Sequence, residues 1–258
     1  MAAIVAVWYR AMDLSYTDRR QTQTAEQYAA DDLETMREAK RYGAHLFELF
    51  RPHVGRRVLE VGCGIGTMSR RLTEVSDAVL GIEPNPHCAD LVREEMRGEP
   101  KFDLRTCHLE ECDLSELASQ RFDTVFCVNV LEHIEDDREA LRTFHRVLAP
   151  GGHALVWVPA VQAAYGPLDA ELGHFRRYSK ASLGAAFNAA GFDMVTLRYS
   201  NPIGLLGWMF NARVLKTREH SIGQVRVFDN LIAPWALPIE RVAPPPIGLS
   251  LIAVGRRR

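Results

Sequence analysis

The chain has 258 residues, 47% of them hydrophobic and 25% charged, with a formal net charge of −2. That length suits one large α/β domain carrying an insertion and calls for no second core. The near-neutral balance excludes a surface built around phosphate backbones, and Arg256, Arg257 and Arg258 read as a solvated tail. Cys63, Cys88, Cys107, Cys112 and Cys127 form no CxxC pair. Reduced thiols in a cytoplasmic protein fit that pattern better than disulfides or a zinc site.

In chain order, MAAIVAVWYR is apolar but has no basic region before it and no clear cleavage site. Ala25 to Phe50 reads as one or two amphipathic helices. Strands are expected at Val58 to Val61, Ala78 to Ile82, Phe102 to Thr106, Phe122 to Asn129 and Ala154 to Pro159. Helices fall between them at Thr67 to Thr73, Pro86 to Arg97 and Asp136 to Leu148, the last stopped by Pro150-Gly151-Gly152. Runs such as TVFCVNV are apolar on both faces, as strands buried in a parallel sheet must be. After a polar loop, Ala160 to Tyr178, come a helix, Lys180 to Ala190, and a strand, Phe192 to Tyr199. An insertion, Asn201 to Pro246, begins with the apolar IGLLGWMFNARVL, and a strand at Gly248 to Gly255 closes the chain. Within that insertion, Ser221 to Asn230 reads as a mobile loop. No apolar run approaches the ~20 residues that span a bilayer.

Strand–helix alternation argues for a parallel sheet with right-handed crossovers and ligands at the carboxyl ends of the strands. The first strand runs directly into Gly62, Gly64 and Gly66. Glycines there let the chain bend sharply and let a ligand approach the backbone, while the next helix offers its N-terminal amides. The second strand ends in Glu83, where a carboxylate can accept both hydroxyls of a ribose.

VLEVGCGIG, GIEPNP, FDTVFCVNVLEHIED and VLAPGGHALVWVP together resemble the motifs of class I S-adenosylmethionine-dependent methyltransferases over roughly residues 41–190. The resemblance implies an α/β fold, a Rossmann-like, doubly wound seven-stranded sheet whose last strand is antiparallel, and S-adenosyl-L-methionine as cofactor. It divides one domain, 1–258, into a helical cap (1–50), a cofactor-binding core (51–200), an insertion or lid (201–246) and a last strand with tail (247–258). Carried over, Glu60, Gly62, Gly64 and Gly66 would surround the methionine part of the cofactor, Glu83 with Pro84 would hold the ribose, and Asn129 would lie near the amine. The acidic residue that often meets the adenine is missing; Cys107-His108-Leu109-Glu110 stands there, so His108 or Glu110 takes its place beside Leu109. Tyr42 resembles a position that closes over the cofactor, with Arg41 next to the cofactor carboxylate.

Methyl transfer needs an aligned nucleophile and, for a hydroxyl or protonated amine, a base titrating near neutrality. His133, in LEHI at the end of the fourth strand, is a candidate for that role; a histidine that only packs there is the competing reading. DAELGHFRRY resembles the GHxRRY segment of a bacterial subgroup and offers His174, Arg177 and Tyr178 to a substrate. The alternative is a surface loop pinned by Asp–Arg pairs of little energetic weight. Asp169 with His174 lacks a third ligand, so no metal is expected. The apolar stretch at Ile203 to Leu215 reads as a lid, a dimer face, a membrane-surface helix or plain core. The partner expected is a small molecule: a secondary metabolite, a quinone-like aromatic or a glycan-linked acceptor, methylated at oxygen or nitrogen. Two other functions compete, a non-catalytic S-adenosylmethionine-binding module and a nicotinamide oxidoreductase. Thr67, where nicotinamide enzymes usually carry glycine, argues against the second.

Overall fold

The computed structural model describes residues 25–210 and 222–258. The opening apolar run and Asn211 to Leu215 of the apolar stretch lie outside them. Two helices, α1 (Ala25–Arg37) and α2 (Lys40–Phe50), precede β1 (Arg57–Val61). Then α3 (Thr67–Val75), β2 (Ala78–Ile82), α4 (Pro86–Glu95), β3 (Phe102–Arg105), α5 (Leu114–Ser119) and β4 (Phe122–Val128) alternate. The second half holds α6 (Asp137–Val147), β5 (Leu148–Pro159), α7 (Pro167–Glu171), α8 (Lys180–Ala189) and β6 (Phe192–Ser200). The insertion contributes α9 (Pro202–Phe210), α10 (Ile222–Val227), a π turn (Phe228–Ile232) and α11 (Ala233–Val242) before β7 (Ser250–Arg257).

The seven strands are ordered β3-β2-β1-β4-β5-β7-β6. The first five are mutually parallel, and β7 lies antiparallel between β5 and β6, as expected. Chain order runs outward from β1 to β3 in one direction and from β4 to β5 in the other, where β7 then inserts ahead of the edge strand β6. The crevice between the carboxyl ends of β1 and β4 is therefore the point where a doubly wound sheet takes its ligand.

Both faces of the sheet are covered, which is why its strands are apolar on both sides. On one face Leu59, Leu80, Val125, Cys127 and Val156 pack with Leu141 and Phe144 of α6 and Phe187 of α8. On the other, Val58, Val79, Phe126, Leu155 and Trp157 pack with Leu46, Phe47 and Phe50 of α2 and Leu72 of α3. Local signals set the helix starts. Asn85 accepts from the amides of His87 and Cys88 ahead of Pro86, and Asp136 accepts from that of Glu139. Gly66 opens α3 at φ +84°, where a Cβ would stand 2.8 Å from Val92 Cγ2.

Three expectations need correction. Of the loop expected at Ser221 to Asn230, Ser221 lies outside the described residues and the rest is helical from Ile222, with Gln224, Val225 and Asp229 buried. Pro150-Gly151-Gly152 does not separate α6 from a later strand. It lies inside β5, where the pairing with β4 jumps from Phe122–Leu148 to Thr124–His153 and absorbs the extra residues as a bulge. The sequence reading also passed over α5, whose start is capped by Asp113.

The insertion and the N-terminal helices form one cover. Ala39 leaves the start of α2 without a side-chain cap, and Asp229 of the π turn supplies it, accepting from the amides of Arg41 (3.0 Å) and Tyr42 (2.9 Å). Arg226 pairs with Glu38, and buried Glu240 accepts from Ser200 Oγ (2.5 Å) and the Asn201 amide (2.9 Å) at the end of β6.

Candidate active site

One half of the crevice is built on the β1 turn and the tip of β2. Gly62, Gly64 and Gly66 all take positive φ, at +70°, +54° and +84°. A Cβ on Gly62 would lie 2.3 Å from Val130 Cγ2, so this glycine is what lets the β4 loop close on the β1 turn. Glu83 is buried, its carboxylate accepting from the amides of Gly64 (2.8 Å) and Asn85 (3.0 Å). Burial raises its pKa, against the pull of those two bonds. Each oxygen keeps a lone pair for a further donor. Glu60 is buried beside it and accepts from Ser69 Oγ at 2.6 Å. Burial pushes Glu60 up to about 8; the Ser69 bond opposes this and the nearby Glu83 adds to it.

Asn129 ends β4 at φ +52°, a left-handed conformation that asparagine tolerates, with its amide on the Trp157 carbonyl at 2.8 Å. Pro84 and His108 are exposed at the tips of β2 and β3, while the Leu109 side chain is buried in the core. Tyr42 and Arg41 sit in the cover. The Tyr42 ring packs edge-on against Trp157 (5.7 Å) and Phe228 (5.8 Å), and Arg41 donates to Asn230 Oδ1 at 2.7 Å.

The other half is built on the turn after β4 and the loop after β5. His133 and His174 meet edge to face, ring centroids 4.6 Å apart. His174 is held from behind by Asp169, whose Oδ1 accepts from Nδ1 at 2.9 Å. The same Oδ1 accepts from Arg177 Nε at 2.8 Å, and Oδ2 accepts from the Gly166 amide at 2.9 Å. Burial pushes Asp169 up, but the bonds from His174 and Arg177 outweigh it and hold the carboxyl below its ordinary range. Arg177 is itself buried, stacked 4.3 Å over the Trp208 ring, whose Nε1 donates to the Ala164 carbonyl at 3.0 Å. Burial and then the neighbouring His174 lower His133 to about 4, against a bond to the Leu172 backbone, so its ring is neutral at pH 7. Glu132 is fully buried, and neither of its oxygens has a hydrogen-bond partner among the described residues. Burial pushes it up to about 8, against the pull of its own backbone amide and of the Arg177 charge.

A family model described as a methyltransferase domain matches residues 24–197. The chain belongs to the S-adenosylmethionine-dependent methyltransferases. An S-adenosylmethionine-dependent methyltransferase from Mesorhizobium loti shares the fold, at TM-score 0.57 and 19% identity, covering 84% of this chain and 100% of that one. The N-methyltransferase NodS from Bradyrhizobium japonicum WM9, bound to S-adenosyl-L-homocysteine, shares the fold at TM-score 0.56 and 15% identity, covering 84% and 86% of the two chains. Among curated relatives, a ubiquinone biosynthesis O-methyltransferase from Alkalilimnicola ehrlichii is 32% identical over 102 residues, 39% of this chain. The methyltransferase spans 40% of that relative's length.

The first half of the crevice fits the methyltransferase cofactor by its chemistry. Two buried carboxyl groups, Glu60 and Glu83, flank a glycine turn that admits close approach. Of the residues anticipated from sequence, the structure gathers Glu60, Gly62, Gly64, Gly66 and Glu83 at β1 and β2, and His133 with His174 at β4 and β5. Arg177 and Tyr178 are buried and already bonded, Arg177 Nε donating to Asp169 Oδ1 and Tyr178 Oη to Asp137 Oδ2 at 2.8 Å, and they line a cavity with Glu135, Asp137 and Arg176 that does not include His133 or His174. Nor is the Asp169–Arg177 pair a surface pin, since its side chains are 0% and 1% exposed. Glu132, which the sequence offers as a cofactor-side contact or, more readily, as a structural residue at the helix entrance, joins this cluster on the histidine side. Trp208 of the insertion is the residue that sequence reasoning missed there.

Proposed function

We propose that the protein transfers the methyl group of S-adenosyl-L-methionine to a small molecule at oxygen or nitrogen, releasing S-adenosyl-L-homocysteine. The observation that carries this is the meeting, at one topological switch point, of the glycine turn with its two carboxylates and the His133–His174 pair. The cofactor's sulfonium makes its methyl group electrophilic. What the chain must add is alignment, water exclusion and a place for the acceptor's proton.

In this reading Glu83 holds the ribose, Glu60 faces the amine and the glycine turn leaves room for the methionine chain. Asp169 fixes the His174 tautomer with the proton on Nδ1, which leaves Nε2 free to accept from an acceptor hydroxyl or amine. Neutral His133 offers a second acceptor nitrogen beside it. In the same reading α1, α2 and the described helices of the insertion serve to keep water from the bound cofactor. The 32% identity to a ubiquinone biosynthesis O-methyltransferase supports an oxygen acceptor on an aromatic ring. The five free thiols fit a reducing, cytoplasmic setting.

Calorimetric titration with S-adenosyl-L-homocysteine, NADH in parallel, is the deciding test. Micromolar binding of the first alone fixes the cofactor, and binding of NADH overturns the reading. A labelled methyl donor offered to catechols, phenols and amines then reads transfer; tight cofactor binding with no labelled product in any of them would mark a non-catalytic module.

A further inference from the structure

Glu132, His133 and His174 each direct one ligand-capable atom into a common space, all of these atoms within 4.8 Å of one another. Two imidazoles and a carboxylate are the donor set that divalent transition ions take from proteins, commonly with positions left open for water or substrate. Two neighbouring ligand atoms ~2.1 Å from an ion stand about 3.4 Å apart.

Independent observations point the same way. Glu132 is 0% exposed and both its oxygens lack a partner among the described residues, an arrangement that costs several kcal/mol unless something fills it. The nearby cation does not fill it, because Arg177 gives Nε to Asp169 and Nη1 to the Ala160 carbonyl at 3.3 Å. Both histidines are also anchored on the far side, His174 by Asp169 and His133 by the Leu172 backbone. Anchoring one ring nitrogen to a carboxylate or carbonyl orients the other, which is how proteins prepare imidazole ligands.

We propose that Glu132, His133 and His174 form a binding site for one divalent transition-metal ion at the acceptor side of the crevice. Its role rests on the methyl-transfer reading: an ion here binds an acceptor oxygen and lowers the pKa of its hydroxyl, which favours acceptors with an oxygen free to coordinate. With the ion bound, the imidazole nitrogens are ligands, and the acceptor's proton leaves to water.

The test is titration of the full chain, stripped with chelator, with Co²⁺ read by its visible d–d absorption, and competition by Zn²⁺. One ion per chain is expected, with affinity at least tenfold weaker in Glu132→Gln, which keeps the side chain's shape, and the absorption lost in His174→Ala. Absence of one-to-one uptake by the wild type, or uptake unchanged in both variants, overturns the proposal. Each sample is also titrated with S-adenosyl-L-homocysteine. Retained binding shows that the variants are folded. It also separates the two ideas: cofactor binding without metal uptake sinks only the metal site, and metal uptake without cofactor binding sinks only the methyl-donor reading.

Discussion

The two halves of the crevice treat buried carboxylates in opposite ways. On the β1–β2 side, Glu60 is met by Ser69, and Glu83 by two backbone amides. On the β4–β5 side, Asp169 collects three donors while Glu132, close by, has none among the described residues. A polar group that is already bonded is stiff and needs only modest help from a ligand, whereas a buried group with no bond stores a cost that a ligand can relieve. In the proposed reading, the cofactor's half is pre-wired and the acceptor's half is held rigid around one unfilled point.

The contrast can be broken first at Asp169. Asp169→Ala leaves Arg177 buried without its partner, and a loss of about 3–5 kcal/mol in folding stability is expected by denaturant titration. A loss below ~1 kcal/mol would show that the pair is not what stiffens this half. His174→Ala tests the chemistry instead: turnover should fall ~10²-fold while affinity for S-adenosyl-L-homocysteine stays within about twofold. Full turnover would reduce His174 to packing.

On the pre-wired side, Glu83→Ala should weaken S-adenosyl-L-homocysteine binding by ~1–3 kcal/mol, the scale of charge-assisted hydrogen bonds. Unchanged affinity on calorimetry removes the ribose assignment. Glu60 gives a pH signature. Its folded pKa of about 8 lies above the 4.5 of an exposed glutamate, so the folded state keeps a proton that the unfolded chain has lost. Stability of the ligand-free protein should therefore fall as pH rises from about 4.5 to 8, at most ~1.4 kcal/mol per pH unit from this group. Glu60→Gln should flatten its share of that slope in melts taken across the window. The smallest effect belongs to the cover: Asp229→Ala should cost about 1 kcal/mol through loss of the α2 cap, seen as a lower melting temperature.

The sheet was readable because each strand is a short apolar run punctuated by Gly, Pro or Asn, and because buried parallel strands need no alternation. The glycine turn and Glu83 were readable because backbone geometry demands those residue types in that order. What stayed hidden depended on contacts distant in sequence. Ser221 to Asn230 looks like a loop because its polar residues are judged against water, yet Asp229 faces amides 187 and 188 residues away. The Asp169–Arg177 pair looked superficial because spacing cannot reveal that Trp208, from the insertion, lies over it. Glu132 was visible as an odd acid among apolar neighbours, but only the fold shows that His174 comes round to face it.

The borrowed cap of α2 also constrains how such a chain can diversify. Ala39 cannot cap the helix itself, so the N-terminal cover and the insertion carry two parts of one hydrogen-bonded joint. A descendant that exchanged its insertion for one suited to another acceptor would have to bring a carboxylate to the Asp229 position or acquire Ser, Thr, Asn or Asp at residue 39. Substitutions at these two places are therefore expected to be inherited together, although nothing in the linear sequence marks them as neighbours.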